Sequence, residues 1–347
     1  MKNKILILLL LIPLSLFITA CDLLYSLDPA YNKAVKKGTL ESCRGLEDED
    51  MQESCISAVA EEKNDPSMCK ELASESDTDS CYREVAIAND NAEGCKDIDS
   101  STKKDTCFQT IAKNTKNLEL CKSVENETTK KSCITFVAIE SNDVTMCMEI
   151  EGEDKNRDSC IHDLAVATNE VAHCFSIDNE TIKDNCYSAT AIATGGDLAC
   201  LKIKREATQI YCLKQVAEKR LDIDVCYKID DKSSRDACIY PIAKEKQDDS
   251  MCQNIEGEKL KMHCLSDVGI ARGNKYGCAA VGDEYIYDCN YELAVGMKDA
   301  SVCTEIEKMG TRDKCYYEVA KRVGNTDVCA NIEDGSEKSD CEKYVNL

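Results

Sequence analysis

Aromatic side chains and histidine are scarce in this chain. Its 347 residues include no tryptophan, four phenylalanines and three histidines. With so few large apolar groups, a short segment of the chain cannot bury enough surface to fold by itself. The three histidines (His162, His173 and His263) fall at different positions of the repeat, two near second cysteines and one beside the first cysteine Cys174, so the sequence indicates no shared histidine site.

Catalytic and cofactor-binding motifs are missing as well. The sequence contains no lipase-type nucleophile elbow, zincin helix, phosphate-binding loop or dinucleotide-binding glycine pattern. The chain has 43 basic and 65 acidic residues and a formal net charge of −22, which disfavours nucleic acid and anionic lipid headgroups as partners. We therefore expect a protein that is not an enzyme, needs no cofactor and does not bind nucleic acid.

Cysteine, in contrast, is abundant, and its spacing is regular. From Cys43 to Cys341 a shorter and a longer gap alternate with two exceptions, so the chain contains twelve copies of a unit of about 26 residues. A period of this length predicts a solenoid, in which small helical units stack on their neighbours. The first cysteines of the units are Cys43, Cys69, Cys95, Cys121, Cys147, Cys174, Cys200, Cys226, Cys252, Cys278, Cys303 and Cys329. The second cysteines are Cys55, Cys81, Cys107, Cys133, Cys160, Cys186, Cys212, Cys238, Cys264, Cys289, Cys315 and Cys341.

The two spacing exceptions indicate which cysteines form disulfides. If each unit is a hairpin of two antiparallel helices, residues twelve apart face each other across the turn. The gap from Cys147 to Cys160 is one residue longer than this, and the gap from Cys278 to Cys289 is one residue shorter. Both exceptions fall inside a unit, whereas all eleven gaps between units have the same length. Because changes in length are tolerated best at exposed turns, we predict disulfides within each unit.

These bridges are expected to stabilise a chain that has few large core residues. Each bridge contributes roughly 3 kcal/mol in the chain-entropy model. Twelve of them can therefore replace a large core.

Short cysteine spacings do not occur in the repeat. Even the shortest gap between repeat cysteines, from Cys278 to Cys289, is too long for C-x-x-C redox pairs, zinc-ribbon spacing or haem attachment. An even count of cysteines in an exported chain favours structural disulfides, because oxidising compartments preserve them. The alternative is that reduced cysteines along the helices bind or store a soft metal ion such as Cu(I).

Residue columns within the unit predict where its two helices lie. An aliphatic residue stands three positions after every first cysteine, and Asp or Asn stands four positions before it in nine units, as at Asp65. These columns predict a helix A of about two turns that begins at an Asp or Asn N-cap. A Val, Ile or Leu four residues after the second cysteine, usually followed by Ala, predicts a closely packed helix B of about three and a half turns. The predicted N-caps of helix B are Ser76, Thr102, Thr128, Thr181 and Ser233.

The first 21 residues have the features of an export signal. A Met-Lys-Asn-Lys start precedes an apolar run over residues 5–12 and the tetrapeptide Ile18-Thr19-Ala20-Cys21. A charged start and a short apolar core are typical of a secretory signal rather than a membrane span. The tetrapeptide resembles the lipobox of bacterial-type lipoproteins, and this resemblance implies cleavage after Ala20 and diacylation of Cys21. The alternative is ordinary signal cleavage, which would leave Cys21 as a free thiol.

These features divide the chain into three parts. We predict a signal peptide over residues 1–20, a lipid-anchored tether and N-terminal cap helix over residues 21–38, and a cysteine-rich repeat over residues 39–347. Signal cleavage would change the formal net charge from −22 to −24, because it removes Lys2 and Lys4. The expected fold is an all-α superhelical solenoid of twelve helical hairpins, each stapled by one intra-repeat disulfide, with a handedness that the sequence does not determine.

Acidic residues form a further column directly after the aliphatic residue of helix A. Stacked repeats would line these carboxylates along one edge, where they either face solvent near the N-terminus of helix B or hold Ca²⁺ or Mg²⁺ weakly. Lys or Arg three residues before the second cysteine in eight units, as at Arg235 and Arg312, can supply partner charges. The acidic residues are Glu47, Asp99, Glu125, Glu151, Asp178, Asp230, Glu256, Glu307 and Glu333.

The later units depart most from the repeat. Pro241 follows Cys238 by three residues, inside the predicted helix B, and we expect it to bend that helix. Six of the 14 tyrosines lie between Tyr276 and Tyr317, around the unit with the shortened turn. Exposed aromatic side chains on a rigid scaffold are good contact residues. The predicted partner-binding residues are Tyr276, Tyr285, Tyr287, Tyr291 and Tyr317.

The sequence thus favours a scaffold over a catalyst. We expect an extracytoplasmic lipoprotein, held at a membrane by the lipid on Cys21, that presents an elongated acidic surface to a protein partner. The alternative function is the thiolate-based binding or storage of Cu(I).

Overall fold

The computed structural model describes residues 28–345, and every regular element in this range is helical. The chain forms two compact blocks, one that extends to Leu164 and one that begins at Ala165. Helical hairpins stack in chain order within each block: helix B packs on the next helix B from hairpin 1 to hairpin 4, and again from hairpin 6 to hairpin 12. The export signal, Cys21 and the predicted tether lie outside the described residues.

Twelve disulfides close the twelve hairpins. Each joins the two cysteines of one repeat, with Cα atoms 5.4 to 5.8 Å apart. The predicted all-α repeat of disulfide-stapled hairpins is therefore confirmed. A helix over Pro29–Lys37 precedes the first hairpin, begins at the N-cap Asp28 and ends at Gly38, whose φ is 66°.

Helix B is the long helix of each hairpin, and most copies have 15 residues. In hairpins 1 to 5 it spans Glu49–Lys63, Glu75–Ala88, Ser101–Thr115, Glu127–Ser141 and Asp154–Thr168. In hairpins 6 to 12 it spans Glu180–Thr194, Glu206–Arg220, Lys232–Lys246, Glu258–Arg272, Ile286–Met297, Met309–Val323 and Gly335–Tyr344. Helix B continues through Pro241 to Lys246; the bend expected at this proline stays a prediction.

The predicted N-caps of helix B were wrong by two residues. The helix begins earlier, with its N-cap seven residues before the second cysteine. In hairpins 1, 2, 4, 6, 8 and 12 this residue is Asp, Asn or Ser and accepts a backbone N–H of the first turn, whereas Ser100 of hairpin 3 makes no such hydrogen bond. Asn126, for example, accepts from the N–H of Thr129 at 3.0 Å. The predicted caps Ser76, Thr102, Thr128, Thr181 and Ser233 therefore lie inside the first turn of helix B.

Helix A has four to six residues. In hairpins 2, 3, 5, 6, 11 and 12 it is a six-residue 3-10 helix, which has the predicted two turns. In the other six hairpins it is a single turn of four or five residues. The first cysteine carbonyl already accepts the N–H three residues on, as from Leu72 to Cys69 at 3.2 Å, and Leu72 then turns to an extended conformation with ψ 146°. Helix A spans Leu40–Arg44, Pro66–Glu71, Ala92–Asp97, Leu118–Lys122, Val144–Glu149 and Val171–Ser176 in hairpins 1 to 6. It spans Asp197–Cys200, Ile223–Cys226, Asp249–Cys252, Gly277–Ala280, Ala300–Glu305 and Thr326–Asn331 in hairpins 7 to 12.

The turn from helix B to the next helix A explains why the cysteine gap between units never varies. Helix B ends at a left-handed residue, such as Asn64 with φ 51°. The following residue, Asp65, donates its N–H to the Ala60 carbonyl at 2.9 Å and is itself the N-cap of helix A. Because one residue closes the old helix and the next opens the new one, this turn has no position for an insertion.

The core consists of the repeated columns. The 24 repeat cysteines are each at most 2% exposed, and the aliphatic column of helix A and the paired aliphatic and small columns of helix B lie beside them. Thr190, which replaces an aliphatic residue of helix B, is buried and donates its hydroxyl to the Cys186 carbonyl at 2.7 Å. Gly277 faces the Gly269 backbone closely, since a Cβ on Gly277 would lie 3.0 Å from the Gly269 Cα.

Candidate functional site

Buried carboxylates join consecutive hairpins. The residue two positions before the second cysteine, here called the clamp position, is aspartate in six hairpins, and these side chains are at most 6% exposed. At Asp105 the two carboxylate oxygens accept the backbone N–H groups of Glu125 at 2.7 Å and Asn126 at 2.9 Å, both from the next hairpin. The clamp thus holds the N-cap of the next helix B. The six aspartates are Asp79, Asp105, Asp158, Asp184, Asp236 and Asp313.

The same geometry recurs in both blocks. Asp79, Asp184, Asp236 and Asp313 each accept two backbone N–H groups of the following hairpin at 2.8 to 3.1 Å. Glu53 holds the same position in hairpin 1 and accepts one N–H, from Ala73 at 3.2 Å. A buried carboxylate is tolerated when such donors satisfy it. Our sequence analysis missed these residues, although aspartate recurring at a fixed distance from the second cysteine was the available signal.

Asp184 gains a third donor, because Arg205 Nε also lies 3.0 Å from it. Burial raises the pKa of this carboxyl, but the backbone N–H groups of Lys204 and Arg205 and the Arg205 guanidinium together outweigh burial. The pKa of Asp184 therefore lies below its ordinary value. The clamp remains ionised at neutral pH.

The acidic column after helix A lies at the entrance to helix B. Glu256 meets Lys232 Nζ at 2.7 Å and Arg235 Nη1 at 3.2 Å, and Arg312 meets Glu333 at 2.5 Å. The basic partners belong to the preceding hairpin. Within residues 28–345, no three His, Cys, Asp or Glu side chains converge as a metal ion would require.

The five predicted tyrosines occupy different kinds of position. Tyr276 precedes helix A of hairpin 10 and is 65% exposed, and Tyr285 precedes helix B of the same hairpin. Tyr287 donates its hydroxyl to Glu307 Oε2 at 2.8 Å. Tyr291 and Tyr317 are half-buried on helix B of hairpins 10 and 11. Of the five, Tyr291 lines a groove.

This groove runs across the outer faces of helix B in hairpins 8 to 11, inside the second block, and has a volume of about 510 Å³. Its walls combine apolar side chains with hydroxyl, carboxylate and guanidinium groups. The residues that line this groove stand at repeat positions whose identity differs from hairpin to hairpin. The apolar lining includes Leu260, Ile270 and Val295, and the polar lining includes Tyr240, His263, Ser266, Asp267, Tyr291, Glu292, Glu318 and Arg322.

One end of the groove is held by a shared carboxylate. Asp267 accepts the Tyr240 hydroxyl at 2.5 Å and Lys244 Nζ at 2.8 Å. Burial, the hydrogen bond to Asp267 and the charge of Glu292 raise the pKa of Tyr240 to about 12. Burial also raises the pKa of Asp267, but Lys244, Tyr240 and His263 outweigh burial, so this pKa is lowered. Tyr240 is thus a neutral donor beside a fixed negative charge.

A second carboxylate lies in the middle of the groove. Glu292 meets His263 Nδ1 at 3.0 Å and accepts the Ser266 hydroxyl at 2.8 Å. Ser266 also approaches the His263 carbonyl at 3.0 Å. The single hydroxyl hydrogen of Ser266 thus has two acceptors within reach, the Glu292 carboxylate and the His263 carbonyl.

Tyr291 and Arg322 flank the carboxylates. Burial and the charge of Glu318 raise the pKa of Tyr291, and Arg322 opposes them. The groove therefore combines phenols and apolar walls with the side chains of Asp267, Glu292 and Glu318, of which Asp267 pairs with Lys244 and Glu292 with His263. A basic side chain with an aliphatic stem fits this combination, because the stem can lie on the apolar wall while its charge meets a carboxylate.

The twelve disulfides indicate an oxidising, extracytoplasmic environment, since thiols stay reduced in the cytosol. A thiolate store of Cu(I) would require these bridges to be reduced. Among residues 28–345, no helix is both long enough and apolar enough to cross a membrane.

Comparison with known proteins does not add a family. No protein-family model and no curated protein matches the chain. Among solved structures, the chain is similar to the crystal structure of Ton1535 from Thermococcus onnurineus NA1, with 9% sequence identity and a TM-score of 0.25 over 91% of this chain and 98% of that one. A TM-score this low carries no argument about fold or function.

Proposed function

We propose that this chain is a membrane-anchored, extracytoplasmic scaffold that binds a protein partner. The observation that carries the proposal is the division between repeated and variable positions. The side chains of the repeated columns already form the core, the disulfides and the clamps. The variable outer faces of helix B in hairpins 8 to 11 line a groove that no repeated column forms.

The groove fits a basic segment of a partner. Asp267, Glu292 and Glu318 supply negative charge, and Leu260 and Val295 supply apolar contact area. The formal net charge of −22 favours the approach of such a segment.

Site-specific photocrosslinking tests the proposal. A photoreactive phenylalanine analogue replaces Tyr291, and in a matched control it replaces Gln109, which stands at the same repeat position in the first block. Both side chains are half-buried. In cells that express the chain, we expect one defined crosslinked protein from position 291 and none from position 109. An identical pattern from both positions would contradict a partner site in the groove.

Anchoring needs its own test, because Cys21 lies outside the described residues. We expect Cys21→Ser to release the chain from membranes and the intact mass of the native chain to include a diacylglyceryl group. A Cys21→Ser chain that is cleaved after Ala20 and still sediments with membranes would contradict the lipid anchor. The same mass measurement, with and without reductant, counts the disulfides and detects any bound metal.

A further inference from the structure

The residue directly after each first cysteine, here called the edge position, changes character along the chain. All twelve edge residues are exposed, so the hydrophobic core does not determine their identity. In hairpins 1 to 4 the edge residues are basic: Arg44, Lys70, Lys96 and Lys122. In hairpins 5 to 8 they are large and apolar: Met148, Phe175, Leu201 and Tyr227. In hairpins 9 to 12 they are Gln253, Ala279, Thr304 and Ala330.

The apolar edge residues of the second block form a stripe on helix A of hairpins 6, 7 and 8. Phe175 is 56% exposed, Leu201 and Tyr227 are each 46% exposed, and the adjacent Leu198 is 69% exposed. The three helices are neighbours, because Lys202 Nζ lies 4.8 Å from the centre of the Phe175 ring, and Lys228 forms an ion pair with Asp197. We call Phe175, Leu198, Leu201 and Tyr227 the apolar stripe. Contiguous exposed apolar side chains mark interaction surfaces.

The first block shows that this edge can be covered by charge instead. Arg44 forms an ion pair with Glu71 of the next hairpin, and Lys122 meets Glu149 Oε2 at 3.1 Å. Arg44 and Lys122 thus have ion-pair partners in the following hairpin. Phe175 packs edge-on against Tyr187, with ring centres 5.8 Å apart, but the residues of the apolar stripe still expose about half their surface or more.

Basic residues flank the apolar stripe. Lys202 and Lys228 follow two of its members directly, whereas Lys204 and Arg205 already pair with Glu180 and Asp184 of the preceding hairpin. The side chain of Asp197 is only 14% exposed, beneath Lys228 and Arg220. Asp224 is the exposed acid of hairpin 8 at this edge. Lys202 and Lys228 therefore place two basic side chains beside the apolar stripe, in a chain of net charge −22.

We propose that the apolar stripe docks an amphipathic helix of a partner protein whose apolar residues are flanked by acidic ones. Stacked helices lie about 8–10 Å apart, and residues seven apart on a helix are separated by about 10.5 Å. One apolar residue in every seven can therefore meet successive members of the stripe, while acidic neighbours meet Lys202 and Lys228. The charges beside the stripe, and not the net charge of the whole chain, determine this contact, because salt screens electrostatic interactions beyond about 8 Å at physiological ionic strength.

Two other occupants fit less well. A membrane-binding surface inserts its apolar side chains roughly 5–10 Å into the bilayer, whereas about half of Leu201 and Tyr227 is embedded in the protein surface. A second copy with stripe against stripe would bring the flanking lysines together. The proposal is independent of the groove, which lies on helix B.

A peptide-binding experiment tests the proposal on the full-length oxidised chain. The probe is a fluorescein-labelled helical peptide of three heptads. Each heptad has leucine at its two core positions and glutamate at the positions beside them. A second probe has lysine in place of glutamate. We expect the glutamate probe to bind with a Kd of about 10 μM by fluorescence anisotropy and the lysine probe to bind at least about tenfold more weakly.

Matched variants locate the binding surface. Phe175→Ser, Leu201→Ser and Tyr227→Ser combined should weaken the glutamate probe about tenfold or more. The control combines Arg44→Ser, Lys70→Ser and Lys96→Ser at the same repeat position in the first block, and should change binding less than about twofold. Circular dichroism checks that both variants keep their helicity, since all six residues are exposed.

Three results would overturn the proposal. These are no binding of either probe, equal binding of both probes, and full binding to the stripe variant. Vesicles of phosphatidylcholine and phosphatidylglycerol form the lipid arm of the test. If the stripe variant loses binding to vesicles while the native chain ignores the peptides, the stripe is a lipid surface and the proposal is wrong.

Discussion

The turn before helix B differs between hairpins 4 and 5, and the difference depends on one residue of the preceding hairpin. Hairpin 3 has Asp105 at the clamp position, and its two oxygens hold the turn of hairpin 4. Hairpin 4 has Lys131 there, and the following turn is one residue longer, with Gly152 at φ 99°. The second irregular turn, in hairpin 10, also follows a hairpin without an acidic clamp, because Met262 occupies that position.

The clamp therefore fixes the length of the next turn. Every hairpin that follows an aspartate at the clamp position keeps the regular spacing between its two cysteines. A carboxylate that accepts two consecutive N–H groups fixes the backbone conformation of the turn that contains them. Where the carboxylate is missing, only the disulfide and the aliphatic column position the turn. Changes in turn length are thus compatible with the fold only where the clamp is missing.

The largest expected effect comes from removing a disulfide on either side of this comparison. Replacing Cys95 and Cys107 by alanine should cost roughly 3 kcal/mol of unfolding free energy, and so should replacing Cys278 and Cys289. Because hairpin 10 follows Met262 instead of a clamp, we expect only its variant to become sensitive to limited proteolysis around residues 282–285. Equal protease resistance of both variants would contradict the role given to the clamp.

Removing the clamp itself should have the next largest effect. Asp105→Ala leaves two backbone N–H groups without their acceptor and should cost about 2–3 kcal/mol. Lys131→Ala, at the same repeat position one hairpin later, should change stability by less than about 0.5 kcal/mol. Urea unfolding gives the stabilities, and faster hydrogen exchange at Glu125 and Asn126 should localise the loss. Similar effects of both substitutions would show that the position matters only for packing.

A turn insertion sharpens the comparison further. A glycine inserted between Glu125 and Asn126 imitates the longer turn of hairpin 5 and separates the two N–H groups that Asp105 binds. The insertion should destabilise the native chain by about 1–2 kcal/mol more than it destabilises the Asp105→Ala chain. A double-mutant cycle of unfolding free energies measures this coupling. A coupling near zero would separate turn length from the clamp.

Acid should weaken the clamp at Asp184 by a smaller amount. Its pKa is lowered in the folded chain, so its stabilisation is present above the ordinary carboxyl pKa of about 3.9 and is lost as the pH falls through the folded pKa. Between about pH 5 and about pH 3, the native chain should therefore lose more thermal stability than the Asp184→Asn chain loses. Parallel losses in Tm for the two chains would contradict this assignment.

The smallest effect is expected at hairpin 10, where Tyr287 occupies the clamp position. Its hydroxyl reaches the Glu307 side chain at 2.8 Å instead of backbone N–H groups. Tyr287→Phe should therefore change stability by less than about 0.5 kcal/mol, as measured by urea unfolding. A loss close to that of Asp105→Ala would mean that tyrosine acts as a clamp.

Sequence periodicity located the hairpins but not the ends of their helices. Helix B was expected to begin at residues such as Ser76 and Thr128, because serine and threonine are favoured N-caps. The true caps, Ser74 and Asn126, stand two residues earlier, where the preceding clamp orients the backbone. Helix A was expected to include the aliphatic residue, because cysteine and aliphatic residues three apart share a helical face. In the structure the aliphatic residue is already extended, as Leu72 is.

The sequence by itself determined the number of hairpins, the all-α class and the pairing of the cysteines, because these follow from spacing along one chain. Tertiary structure decided which polar residues meet across hairpins, since residues far apart in the chain become neighbours only after stacking. Asp105 therefore became a clamp, and Phe175, Leu201 and Tyr227 became one stripe. The groove at Tyr291 arose in the same way, from variable residues of four hairpins that only their packing brings together.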